Sequence, residues 1–372
     1  MNIDGNLKKI ISGFEFAGEL IGWEEIKTGH INRTYRLSFR QADGSARDYV
    51  LQNINTFAFK KPDELMENVR LVTEHLREAM VRRGEDPENR VLRVVPALGG
   101  GIMLLDDEGG AWRAYDFITH ATTVDQVSSP AEFREIGRAF GAFQNALADF
   151  PIAKLHDTIP DFHDTKKRIR ALEAAVARDA AGRAAGVQPE IAFARAHAAE
   201  MGRIVDMIAA GEIPLRVTHN DTKVNNVMLD VDTGEALCVI DLDTVMAGSA
   251  LYDFGDAVRV GASTAAEDEA DLSKVSLDID LFRGFAEGFI SQTARGLTES
   301  ELTSLPLGAL VMTYENGIRF LTDYLDGDVY FRIAYPEHNL VRARAQFKLV
   351  SDMEARRDEM DRIVRELIEK YR

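Results

Sequence analysis

The chain has 372 residues and a net charge of −17, with 61 acidic against 44 basic side chains. Apolar residues make up 45% and charged residues 28%, which is enough to bury a core and excludes disordered, collagen-like and mucin-like chains. The acidic balance repels phosphate backbones and anionic headgroups, so neither a nucleic acid nor a membrane is an expected partner.

The N-terminus lacks a signal-peptide core, and no apolar run approaches the roughly 20 residues that span a bilayer. A single cysteine, Cys238, leaves no intrachain disulfide and fits a reducing compartment, so the expected location is cytoplasmic. Strands are predicted over 22–27 and 33–40, joined by the loop 28–32, then at 48–53 after a turn at Ala42 to Ser45. Pro62 opens a helix, with Leu65, Val69, Val72, Leu76 and Met80 along one face. Strands follow near 90–95 and 102–105, and the hairpin turn 106–110 leads to 111–119. Beyond Pro130 the pattern becomes helical, with Phe133, Ile136, Phe140, Phe143, Leu147 and Phe150 spaced by three and four. Further helices are expected over 164–183, 188–210, 279–295, 306–325 and 337–370. The expected fold class is therefore α+β. A small antiparallel-sheet lobe with one helix (1–118) precedes a mainly helical lobe (119–372).

One strand-and-loop island, Leu215 to Asp243, interrupts the helices. Phosphoryl transfer from a nucleotide needs a carboxylate near the acceptor hydroxyl, oxygen ligands for a metal on the phosphates, and neutralised charge on the moving group. The pattern H-x-D-x-K-x-x-N, from His219 through Asp221 and Lys223 to Asn226, supplies most of these parts in one loop. Asp221 can accept the hydroxyl proton. Asn226 and Asp241, the latter at a strand end, offer the neutral and anionic oxygens that Mg²⁺ prefers. Asp243 is either a second acid behind the metal or a solvated or capping acid.

These residues, with Asp253-Phe254-Gly255 beyond them, resemble the protein-kinase-like fold. More closely, they are similar to the aminoglycoside phosphotransferase and choline kinase type of small-molecule kinase. The resemblance implies a bilobal fold, ATP as co-substrate and Mg²⁺. It makes Asp221 the base or hydroxyl-orienting group and Lys223 a γ-phosphate contact. Asn226 and Asp241 become metal ligands, Asp253 a support of the loop, and His219 a buried scaffold residue. It places adenine against backbone groups of Asp116, Phe117 and Ile118, in a hinge formed by the connector Trp112 to Ile118. The alternative for that connector is an edge strand with aromatic core residues. Met228 would lie beneath the base, or be ordinary core, and Gly29 would mark the loop over the phosphates. One departure stands out. Gln52 occupies the third-strand position where the family carries a cation on the nucleotide phosphates, and a neutral amide cannot neutralise charge.

Segments spread along the chain resemble a narrower family, the bacterial N-acetylhexosamine 1-kinases. They include Gly29 to Asn32, Leu215 to Asn226, Ile240 to Thr244, Gly261 to Ala265, Arg319 to Leu321 and Tyr335 to Leu340. That resemblance implies phosphorylation of the anomeric hydroxyl of N-acetylglucosamine or N-acetylgalactosamine, with His30, Asp221, Arg319 and Tyr330 on the sugar. Arg319 paired with Glu315, Tyr330 in the core, and His30 in an exposed turn or on a phosphate are the plainer alternatives. Two other functions stay open: a kinase of the same fold acting on an amino alcohol or aminoglycoside, and a pseudokinase-like nucleotide-binding protein.

Overall fold

The computed structural model describes residues 5–27 and 31–372. Gly29 and His30 therefore lie outside the described residues.

Helix α1 (Gly5–Ile11) precedes strands β1 (Glu19–Ile26), β2 (Arg33–Arg40) and β3 (Ala46–Ile54). Helix α2 (Pro62–Arg82) and strands β4 (Val94–Val95), β5 (Leu104–Leu105) and β6 (Ala111–Asp116) follow. The antiparallel sheet runs β1-β2-β3-β6-β4, with β5 also on β6. Alternation on β2 sends Tyr35, Leu37 and Phe39 to one face, where they meet Leu7, Ile10 and Ile11 of α1 and Phe14 just beyond it. The expectation of one helix in this lobe thus missed α1, whose seven residues are too few to declare a period. α2 covers the other face. Its Leu65, Met66, Val69 and Val72 join Ile54, Ala111 and Tyr115.

The strand expected at 111–119 ends at Asp116, and β6 is an interior strand rather than an edge, bonded to β3 on one side and to β4 and β5 on the other. The connector is short, because β7 (Ala121–Thr122) already pairs with β9 (Val227–Asp230). The strand expected at 90–95 shrinks to two residues.

The helical part contains α3 (Pro130–Ala146), α4 (Thr165–Arg178), α5 (Gln188–Met201) and α6 (Arg203–Ala209). Next come β8 (Arg216–Thr218), β9, β10 (Ala236–Val239) and β11 (Met246–Gly248). It closes with α7 (Ala250–Gly261), α8 (Ile279–Thr293), α9 (Glu299–Thr303), α10 (Leu305–Asp326), α11 (His338–Ala355) and α12 (Arg357–Tyr371). Two helices expected as single rods are broken, at Gly202 and at Arg356. α3 and α8 touch backbone to backbone. A Cβ on Gly137 would strike the Phe285 carbonyl, and one on Gly288 the Arg134 carbonyl. Phe133, Phe254, Phe285 and Phe289 fill the core beside this contact. A second apolar cluster runs through both lobes, linking α2 and the sheet to Phe143, Val217, Cys238, Leu242 and Val245. It sets the sheet directly above the island.

Among the described residues, no helix is long and apolar enough to cross a membrane.

Candidate active site

β8 ends at Thr218 and delivers the chain to His219, which is fully buried. Its Nε2 lies 2.9 Å from the Ile240 carbonyl, and its Nδ1 accepts the Asp221 N–H at 3.3 Å. The Nε2–H tautomer satisfies both contacts. The ring also stands edge-on to Phe140 and Phe143. Asn220 turns the chain with φ of 63°, a left-handed conformation that asparagine tolerates better than most residues. That turn aims the N–H groups of His219 and Asn220 at one carboxylate. Asp253, on α7, accepts them at 2.9 and 2.7 Å. Burial pushes the Asp253 carboxyl up to about 6, while His219 and these two amides pull the other way.

Asp221 follows, with the Lys223 ammonium 3.0 Å from its Oδ1. Burial lowers the Lys223 pKa, but Asp221 and Asp256 outweigh it and raise the group above its ordinary value. The Asn226 side chain donates to the Asp221 carbonyl at 2.8 Å, and its Oδ1 has no protein donor among the described residues. The Ile240 N–H reaches the Asn226 carbonyl at 2.9 Å, so the end of β10 returns the chain to this loop. Asp241 follows in a left-handed conformation, φ 59°. Burial, then Asp243 and Asp221, drive its carboxyl up to about 7 against Arg113 and His219.

Asp241 forms no ion pair among the described residues, and the undonated amide oxygen of Asn226 sits in the turn that leads into the adjoining strand. That donor set fits Mg²⁺, which takes one or two protein oxygens and completes its shell with phosphate and water. Among the described residues no three His, Cys, Asp or Glu side chains form a group that could hold a metal by themselves.

The nucleotide side departs from expectation. Gln52 is committed within the sheet: its Nε2 donates to Thr34 Oγ1 at 3.0 Å and its Oε1 accepts from Arg113 Nε at 2.9 Å. Arg113 stands directly across from Gln52 in the β3–β6 register. Its side chain is 2% exposed, and it forms an ion pair with Asp243, itself 5% exposed. Asn32 donates to the other Asp243 oxygen at 2.7 Å. Asp243 is thus neither solvated nor a helix cap. A buried cation therefore stands on the neighbouring strand, within the connector Trp112 to Ile118 expected to form the hinge.

That hinge also narrows. The Asp116 and Phe117 N–H groups already bond the Arg93 and Asp48 carbonyls at 3.0 and 3.2 Å, and the Asp116 carboxylate lies 3.0 Å from Arg47. Ile118, past the strand, is the one of the three whose N–H is not engaged among the described residues. Met228 on β9 packs against the interlobe cluster that contains Ile118 and Leu242.

The other flank of the loop carries residues that the sequence motifs did not reveal. His163 lies 3.1 Å from the Asn220 carbonyl through Nε2, and 2.8 Å from Glu315 through Nδ1. Thr165 donates to the second Glu315 oxygen at 2.6 Å. Burial opposes the Glu315 charge, but His163, Thr165 and Arg319 outweigh it and hold the carboxyl below the usual range. Glu315 is therefore taken, and Arg319 does not pair with it. Arg319 stacks over Phe162 and Phe331 at 5.8 and 5.5 Å, with one long contact to Asn316. Arg168 bonds the Phe162 carbonyl at 2.9 Å and buries an Nε with no partner. Burial and the neighbouring Arg319 both lower its pKa. Neither guanidinium has a carboxylate within 4 Å among the described residues. Tyr330 is 68% exposed, not core, on a loop whose N–H groups at 329, 330 and 331 all hang on the Asp323 carboxylate.

An antiparallel sheet above a helical body, with this loop between them, is the architecture of a small-molecule kinase with a hydroxyl acceptor. The phosphotransferase enzyme family (APH) matches residues 22–285, and the chain belongs to that family. Solved structures share the fold. An amicoumacin kinase in complex with AMP-PNP and Ca²⁺ aligns with TM-score 0.57 at 13% identity over 93% of each chain. An aminoglycoside phosphotransferase from Alicyclobacillus acidocaldarius aligns with TM-score 0.56 at 13% identity, over 100% of this chain and 98% of that one. A choline kinase from Cryptosporidium parvum aligns with TM-score 0.53 at 13% identity over 93% of each.

Proposed function

We propose that the protein transfers the γ-phosphoryl group of ATP to the anomeric hydroxyl of an N-acetylhexosamine, giving the sugar 1-phosphate. The acceptor oxygen bonds to the γ-phosphorus, the bond from that phosphorus to the bridging oxygen breaks, and ADP leaves. Asp221 orients the hydroxyl and takes its proton. An anomeric hydroxyl is more acidic than an ordinary alcohol, so a carboxylate is basic enough for the task. Lys223, tethered to Asp221, neutralises charge on the moving group. Asn226 and Asp241 hold Mg²⁺, which supplies charge neutralisation across the phosphates. Asp253 and His219 keep the loop in shape. The adenine lies along Ile118 with Met228 beneath it.

The observation that carries the acceptor assignment is the pair Arg168 and Arg319. Two guanidinium groups without acids demand a ligand rich in hydrogen-bond acceptors, such as an acetamido carbonyl and ring hydroxyls. A choline-like cation needs free aromatic faces or carboxylates, but Arg319 already covers Phe162 and Phe331. An aminoglycoside would meet repulsion at the same place. Tyr330, exposed on its anchored loop, offers the flat face a sugar ring packs against.

The test is turnover with ATP and Mg²⁺ against N-acetylglucosamine, N-acetylgalactosamine, choline, ethanolamine and an aminoglycoside, with the product identified by phosphorus NMR. A 1-phosphate of an N-acetylhexosamine is expected. Turnover confined to an amine acceptor would end the assignment, and nucleotide binding without turnover on any acceptor would favour a pseudokinase.

A further inference from the structure

Gln52 leaves the phosphate side of the nucleotide site without its strand-three cation, yet a buried guanidinium lies directly across the β3–β6 ladder. The geometry points to Arg113 as a positioning residue that does not touch the phosphates but clamps the turn after Asp241 to the sheet through Asp243. This inference rests on the kinase activity and not on which acceptor is used.

Three observations converge. Arg113 spends its Nε on Gln52 and pairs an Nη with Asp243, so strand three still takes part, now as an acceptor. Asp243 is two residues past Asp241, within the turn 242–244 that follows β10, so its position fixes that of the Asp241 backbone. The second Asp243 oxygen takes the Asn32 amide, and Asn32 also accepts the Asn55 N–H at 3.0 Å. Asn32 immediately precedes β2. One buried carboxylate thus gathers the chain entering β2, the two central strands, and the turn beside Asp241. A lysine at position 52 would meet this carboxylate as a single point charge. The arginine reaches it while keeping a second bond to the sheet. The lobe over the nucleotide and the turn carrying Asp241 are thereby held in one register before nucleotide arrives.

The test compares R113Q, R113Q/D243N and Q52R/R113Q with the wild type. The readouts are ATP kinetics, ADP affinity by calorimetry with Mg²⁺ and with EDTA, and hydrogen exchange. In R113Q we expect ADP affinity with Mg²⁺ to fall at least tenfold, with kcat lowered and the acceptor KM little changed. Exchange should rise together in 31–34 and 240–244. R113Q/D243N removes both interior charges and keeps the fold measurable if the single variant does not fold. It should show the same loss of ADP affinity. Q52R/R113Q, which returns the cation to strand three, should recover a substantial part of it. The inference is overturned if R113Q or R113Q/D243N folds and binds ADP as the wild type does. It is also overturned if exchange rises only around 113, or if Q52R/R113Q recovers nothing.

Discussion

The catalytic loop and the clamp above it reach similar precision by opposite routes. Asp221, Lys223, Asn226 and Asp241 come from one stretch between the end of β8 and the turn after β10, and an outside carboxylate, Asp253, holds its left-handed turn at Asn220. The clamp takes Asn32, Gln52, Arg113 and Asp243 from four separated places and has no local motif. The difference is one of reach. Lys223 is tied to its neighbour Asp221 within the loop. Arg113 meets Gln52 through cross-strand register and Asp243 through the packing of the sheet on the island.

The contrast is broken most directly by Asp221→Asn and Asp241→Ala. Each is expected to lower kcat by about a thousandfold or more while circular dichroism and Tm stay near native. Unchanged turnover in either variant would remove the loop from the chemistry. Asp253→Ala tests whether one remote carboxylate suffices to hold the turn. It strands two buried N–H groups, at a cost of about 1–3 kcal/mol each. We expect a clear drop in Tm and a fall in kcat of about a hundredfold, with nucleotide affinity less affected.

Arg319→Met and Arg168→Met sharpen the comparison between the two flanks of the loop. Each should raise the acceptor KM by about tenfold, the scale of one charge-assisted contact, and leave the ATP KM unchanged. A matching rise in the ATP KM would place these residues on the nucleotide side instead.

The smallest effect is a pH dependence. Glu315 ionises below the usual carboxylate range in the folded protein. The stability this adds is complete above the unfolded-state pKa, and is lost as pH falls through the lower folded value. Urea unfolding between about pH 6 and pH 2 should therefore show a shallower acid limb in Glu315→Gln than in the wild type. Parallel curves would show that the His163–Glu315 pair contributes no linkage.

The sheet from β1 to β3, the helix from Pro62, the helix from Pro130 and the loop around Asp221 were all legible in advance, because each is written in local periodicity or in tight spacing. α1 escaped because its seven residues make only about two turns. β11 escaped because its three residues gain meaning only when paired to β8. Arg113 read as part of a hinge, since nothing within ten residues of it announces a partner 130 positions away. His163 and Glu315 were invisible as a pair for the same reason, although Glu315 was in view as a partner for its neighbour Arg319.

The order of carboxylates and amide in the island, and so the class of chemistry, was determined by sequence alone, because a short loop between two strands has few ways to hold those groups. Tertiary structure decided that Arg113 pairs with Asp243, that Asp243 also takes Asn32, and that Arg168 and Arg319 stand without a carboxylate partner among the described residues. Those outcomes depend on strand register and helix packing, where residues far apart in the chain compete for one buried partner, and no local pattern records who wins.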